Sequence, residues 1–184
     1  MKASLLRGSV LLLAASVAAC STIGGGSRQG AVEATRFHLG QPVARSTIAV
    51  DAADAADRNN VEFPFYRYSV ESQLRRLGWT VVPNAQQSEQ IALIDVEQGS
   101  RLALSQGRST IASPRSAAAG SEVATQLEVS IRRRSDQSVF WEGRAQTAAR
   151  AGTDAATPRA AVERLAQALF SDFPGESGRT ISAP

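Results

Sequence analysis

One stretch constrains the fold more than any other. In residues 126–145, Leu127, Val129 and Ile131 alternate with Gln126, Glu128, Ser130 and Arg132, and after Ser135-Asp136-Gln137 a second run sets Val139, Trp141, Gly143 and Ala145 against Phe140, Glu142 and Arg144. Period-two alternation on both sides of a short polar turn specifies a β-hairpin with one buried face. If Ile131 lies opposite Trp141, Glu128 falls opposite Arg144, a favourable cross-strand ion pair. One register thus satisfies both faces, and the chain must build a sheet around this pair.

The rest of the chain supplies partners. Residues 32–39 (VEATRFHL) and 47–50 (TIAV) read as two strands separated by Gly40-Gln41-Pro42. Residues 64–77 place Tyr66, Val70, Leu74 and Leu77 at helical spacing, with Pro64 at the first turn and Gly78 as a stop. Trp79–Val82 is a short strand closed by Pro83, and Ile91–Glu97 is nearly continuous apolar sequence, as in a central strand. Residues 99–120 lack any period, which marks a long, mobile loop. Thr157-Pro158 opens a last helix, with Thr157 as N-cap and Val162, Leu165, Ala166, Leu169 and Phe170 on one side. Pro174-Gly175 ends it and leaves a polar tail over 176–184. The order β-β-α-β-β-β-β-α predicts a single two-layer α+β domain over 32–175, a mostly antiparallel sheet with two helices on one face. Trp79 and Trp141 alternate with polar neighbours and are expected to anchor its core.

The N-terminus carries an export pattern. Lys2 and Arg7 precede an apolar run over Ser9–Ala18, too short to span a bilayer, and Val17-Ala18-Ala19-Cys20 has the aliphatic-small-small-Cys order of a bacterial lipobox. We therefore expect a signal peptide over 1–19, acylation (palmitate among the chains) at Cys20, and a Gly/Ser-rich tether through residue 31. Ser21 rather than Asp after the cysteine resembles sorting to the outer membrane, with the domain facing the periplasm. The membrane is then the first expected partner. Loss of Lys2 and Arg7 cuts the 20 cationic residues to 18 arginines against 17 acids, so the formal charge of +3 does not support nucleic-acid binding. One Cys and one His exclude a disulfide framework, a CxxC site and a His-pair metal motif.

SDQSVFWEGRA (135–145), AAVERLAQALFSDFPG (160–175) and RLGWTVVP…SEQIALIDV (76–96) together resemble the domain of unknown function 4136 family. The points of likeness are a turn Asp before W-x-G, a closing helix that ends in Phe-Pro, and a Gly-aromatic stretch leading to an apolar strand. The resemblance implies a compact α/β lipoprotein of the bacterial envelope and brings no catalytic residues.

Other candidate sites are weaker. Asp51, Asp54 and Asp57, with Asn59 and Glu62, stand at spacings of three without the turn Gly of a calcium loop, so a solvated polar loop is expected and no metal. His38 has no second His, no free Cys and no G-x-S-x-G elbow, which leaves a hydrolase as the remotest reading. Arg132, Arg134 and Arg144 could bind an anionic envelope glycan or lipid by bidentate contacts, although Glu128, Asp136 and Glu142 lie near enough to neutralise them. The leading expectation is a non-enzymatic binding or assembly factor of the cell envelope, with no cofactor and with an envelope protein as its partner. A module that binds an anionic envelope component is the alternative.

Overall fold

The computed structural model describes residues 30–40, 42–99, 104 and 122–183. The signal peptide, Cys20, nearly all of the tether and all of the expected loop except Gly99 and Leu104 lie outside them. Among the described residues, seven strands and two complete helices follow in the order β1 (Val32–His38), β2 (Thr47–Ala52), α1 (Phe63–Arg76), β3 (Thr80–Val81), β4 (Gln90–Gly99), β5 (Glu122–Arg133), β6 (Val139–Arg150), α2 (Pro158–Phe170) and β7 (Thr180–Ala183). They form one sheet in the order β3-β2-β4-β5-β6-β1-β7. β2 runs parallel to both β3 and β4, and the remaining pairs are antiparallel. The domain is α+β, with both helices on one face of a mixed sheet.

The hairpin register is the one its alternation dictates, with Ile131 opposite Trp141 and Glu128 opposite Arg144. Beyond Ile131 a bulge pairs Arg132 with Val139. β6 therefore carries Phe140 as an extra residue at the hairpin's turn end. Ile48, Val50, Ala92, Ile94, Leu127, Val129, Ile131, Trp141 and Ala145 form the buried sheet face. Tyr66, Val70 and Leu74 from α1 and Val162, Leu165, Ala166, Leu169 and Phe170 from α2 close over it. The two helices run parallel: Arg159 near the start of α2 lies 3.4 Å over the Phe65 ring near the start of α1, and at the other end Arg76 of α1 points a guanidinium nitrogen at Phe170 O.

Three local expectations change. Residues 180–183 of the expected polar tail form β7, which pairs with β1 and extends the sheet past residue 175. Ile181 packs against the core, and the hydroxyls of Thr35 and Thr180 meet at 2.7 Å. The acidic loop after β2 contains a 3-10 turn over Ala55–Asn59, capped by Asp54, whose carboxylate accepts the Ala56 N–H at 2.8 Å. Thr157 stands at the N-cap of α2, but its hydroxyl donates to Asp154 O at 2.7 Å and caps nothing.

The end of α2 is held by an aromatic cluster and by buried hydrogen bonds. Trp141 stacks on Phe170 at 5.3 Å and touches Phe173 at 5.2 Å, and Phe173 meets Trp79 edge-on at 5.2 Å. Both tryptophans are buried and both indole N–H groups are used, by Gln90 Oε1 at 2.7 Å and by Pro174 O at 3.0 Å. Arg36, wholly buried on the helix side of β1, donates to Ala168 O at 2.6 Å and Leu169 O at 2.7 Å, carbonyls of the last turn, and pairs with Asp172 at 2.8 Å.

Candidate functional site

Alternation that buries one face of each strand projects the intervening residues from the other face. Register across β4, β5, β6 and β1 aligns Asp95, Glu128, Arg144 and Thr35 in one row, and Leu93, Ser130, Glu142 and Phe37 in the next. The described residues leave the centre of this face uncovered. A cleft of about 300 Å³ lies there, lined among others by Phe37, Leu93, Asp95, Glu128, Glu142 and Arg144. Towards the β4–β5 end, Leu104 is buried against Ala124 and Ala148 on the same face.

The cleft is apolar at one edge and acidic across its floor. Phe37 keeps 53% of its surface exposed. Arg144 is held by Glu128, its Nε donating to Oε1 at 2.6 Å, so one cation and one acid cancel and Asp95 and Glu142 remain. Burial, reinforced by the charges of Glu97, Glu128 and Asp57, pushes the Asp95 carboxyl above its ordinary range. Sequence reasoning had the Glu128–Arg144 pair but not Asp95 or Phe37. Their approach depends on β4 pairing with β5 and β1 pairing with β6, and neither pairing has a local signature.

The three arginines considered for anion binding do not converge. Arg144 is paired in the cleft. Arg132 lies past Ser130 towards the turn, partly buried, with no partner for its Nε among the described residues. Arg134 stands beyond the end of β5 and donates to Ser88 O at 2.6 Å. Arg133, between them, lies over the Phe140 ring.

His38, Asp51 and Glu62 have structural partners. His38 Nδ1 accepts the Gly40 N–H at 3.0 Å, which leaves the proton on Nε2 to donate to Gly175 O at 3.0 Å. The imidazole thus ties β1 to the segment after α2. Asp51 takes two bonds from Arg58, at 2.7 and 2.8 Å, and Glu62 takes two from Arg159, at 2.5 and 3.2 Å. Cys20 lies outside the described residues.

No protein-family model matches the chain. An uncharacterized protein of Zymomonas mobilis is 26% identical, across 81% of this chain and 78% of that protein. Among solved structures, a PDZ domain protein from Parabacteroides distasonis superposes with a TM-score of 0.52 at 14% identity, over 84% of this chain. This chain spans 39% of that protein's length, and the likeness concerns the fold alone. PelC from Paraburkholderia phytofirmans, solved as a dodecamer, aligns over 75% of this chain with a TM-score of 0.48 and 12% identity.

Proposed function

We propose that this is a lipid-anchored envelope protein that acts by binding, held on the periplasmic side of the outer membrane through Cys20 and presenting its uncovered sheet face to a protein partner. The cleft between Phe37 and Asp95 carries the binding part of this reading. It combines an exposed aromatic ring, an aliphatic floor at Leu93 and an excess of carboxylates. Recessed surface with one apolar wall and a few placed charges is what recognition of a side chain requires. The uncompensated Asp95 and Glu142 favour a partner that offers basic groups over the anionic glycan or lipid that the arginines alone would suit. The lipid part rests on the order of n-region, apolar run and lipobox, and on the resemblance to the domain of unknown function 4136 lipoproteins.

Two measurements test the two parts. Metabolic labelling with an alkyne fatty acid should tag the wild-type chain and not Cys20→Ala, and that variant should leave the membrane fraction; equal labelling overturns the anchor. A photoreactive residue at Leu93 should yield a discrete envelope-protein adduct that weakens when Asp95→Asn and Glu142→Gln are combined, while the same probe at Gln73 on α1 should not. Identical adducts at both positions, or an adduct indifferent to the two charges, overturns the cleft as the binding surface.

A further inference from the structure

Helical periodicity at the start of α1 buries Tyr66 and Val70 but leaves large apolar groups outside. Phe65 is 44% exposed, Tyr68 67% and Val61, in the turn that enters the helix, 78%. Phe65 and Tyr68 are three residues apart and share one helix face. A helix that packs on a sheet needs no aromatic pair on its outer side, and large apolar groups exposed this close together suit a contact surface.

Its position relative to the chain's start identifies the contact. The described chain begins at Gly30, whose N–H donates to Ala148 O at 3.1 Å and whose carbonyl accepts from Arg164 of α2 at 3.3 Å. Arg164 also reaches back to Ala155 O, just before α2 begins, at 3.0 Å. Arg159, five residues earlier and so about 7.5 Å along the axis, is the residue that covers Phe65. Because the helices are parallel, their first turns and the point where the tether leaves lie at one pole of the domain.

Resting on the lipid-anchored reading, we infer that this pole sits on the lipid surface, with Val61, Phe65 and Tyr68 entering the headgroup boundary. Residues 21–29 separate Cys20 from Gly30 and are rich in Gly and Ser. Such a segment has a typical end-to-end distance of about 17 Å, which keeps the domain near the bilayer and turns a weak surface affinity into an intramolecular contact. Of the other large apolar groups exposed among the described residues, Leu39 and Val139 lie at the far pole and Phe37 lines the cleft on the outer sheet face. β6 carries the chain between the poles in twelve residues, about 40 Å. The near pole therefore meets the surface first. The two arginines beside the patch are already paired, Arg159 with Glu62 and Arg58 with Asp51, and Asp54 and Asp57 nearby add only acid, so the contact is apolar and not an attraction to anionic lipid. Aromatic rings with an arginine drawn over them suit the interface, where the rings sit at the acyl boundary and the guanidinium stays among the phosphates.

The test uses the full acylated chain, whose single native Cys is blocked by lipid, so that an introduced thiol is the sole labelling site. Tyr68→Cys, Val61→Cys and, at the far pole, Leu39→Cys are each labelled with an environment-sensitive fluorophore. They are reconstituted on phosphatidylcholine vesicles carrying a spin-labelled lipid quencher. We expect at least threefold quenching at positions 61 and 68, unchanged in 0.5 M NaCl, and none at 39. Replacing Phe65 with Ser should reduce the quenching at 68 by half or more. Equal quenching at all three positions, or none at 61 and 68, overturns the inference. Quenching that needs anionic lipid and vanishes in salt overturns it as well. Protection of position 68 in cells without lipid quenching on vesicles shows that a protein covers the patch, and the inference again fails. Flotation with the vesicles and a mass shift at Cys20 are scored separately: if they fail, it is the anchor reading that falls.

Discussion

Gly143→Ala adds one methyl group where none fits. A Cβ built on Gly143 lies 2.4 Å from Trp141 Cη2 and 2.8 Å from Leu169 Cδ1. Neither neighbour can retreat cheaply. Trp141 is fully buried, stacked on Phe170, in contact with Phe173 and bonded to Pro174 O, and Leu169 is fully buried under α2. Overpacking a filled core costs about 1–3 kcal/mol, and breaking the indole bond adds about 1 kcal/mol. The reduced freedom of the unfolded chain returns about 0.4–1 kcal/mol. The net expectation is a loss of about 2–3 kcal/mol. At roughly 2–4 °C per kcal/mol for a domain of this size, the midpoint should fall by about 5–10 °C. Thermal and urea unfolding followed by far-ultraviolet circular dichroism measure this directly. A double-mutant cycle sharpens it. Leu169→Ala alone costs about 2–5 kcal/mol, but it opens the space that the new methyl needs, so Gly143→Ala should then cost under about 1 kcal/mol. A midpoint within about 1 °C of wild type, or the same penalty in both backgrounds, would refute the steric account of the W-x-G motif.

Four further outcomes follow from the same geometry. Arg36→Met keeps the volume but strips two charge-assisted bonds from the end of α2, and urea unfolding should report a loss of about 2–4 kcal/mol. Asp172→Asn should cost less than about 1 kcal/mol, because that carboxylate is 57% exposed. Since Asp95 is easier to protonate folded than unfolded, its contribution to stability is lost as pH rises through its folded pKa. Asp95→Asn should therefore be more stable than wild type at pH 7.5, with the gap closing as pH falls towards about 4; a gap constant with pH refutes the burial argument. His38→Ala should lower stability by about 1 kcal/mol through loss of the Gly40 and Gly175 bonds. It should leave the photo-adduct from Leu93 intact, since the imidazole is spent on backbone groups.

What could be read from the chain was whatever two neighbouring segments impose on each other. The hairpin register was legible because a wrong slip would break the Ile131–Trp141 and Glu128–Arg144 pairs together. The bulge after Ile131 was not, because Arg132 and Val139 carry no preference strong enough to show where the ladder skips Phe140. β7 escaped notice for want of apolar residues, Ile181 being the one large aliphatic in TISA. Arg36 was hidden more deeply. It occupies an inward position of β1, where its charge argues against burial, and its partners are main-chain carbonyls more than 130 residues away. No residue type announces a main-chain carbonyl at a helix end. The cleft shares this difficulty: Phe37, Asp95, Glu128 and Glu142 come from four strands whose lateral order is settled by packing.

Along β6, groups that hold the fold alternate with groups that line the cleft. Trp141, Gly143 and Ala145 point under α2, where a single added methyl is costly, while Glu142 and Arg144 point into the cleft between them. Because side chains alternate, the groups that hold the fold and the groups we propose meet a partner are neighbours in sequence yet lie on opposite faces of the sheet. The clamps on α2, the aromatic cluster and Arg36, brace the inner face beneath the cleft, so outward positions can change charge with little loss of stability. That separation is what a binding surface on a small scaffold needs. It also gives the proposal a measurable signature: substitutions at 142 should alter partner capture without moving the unfolding midpoint, and substitutions at 143 should move the midpoint first.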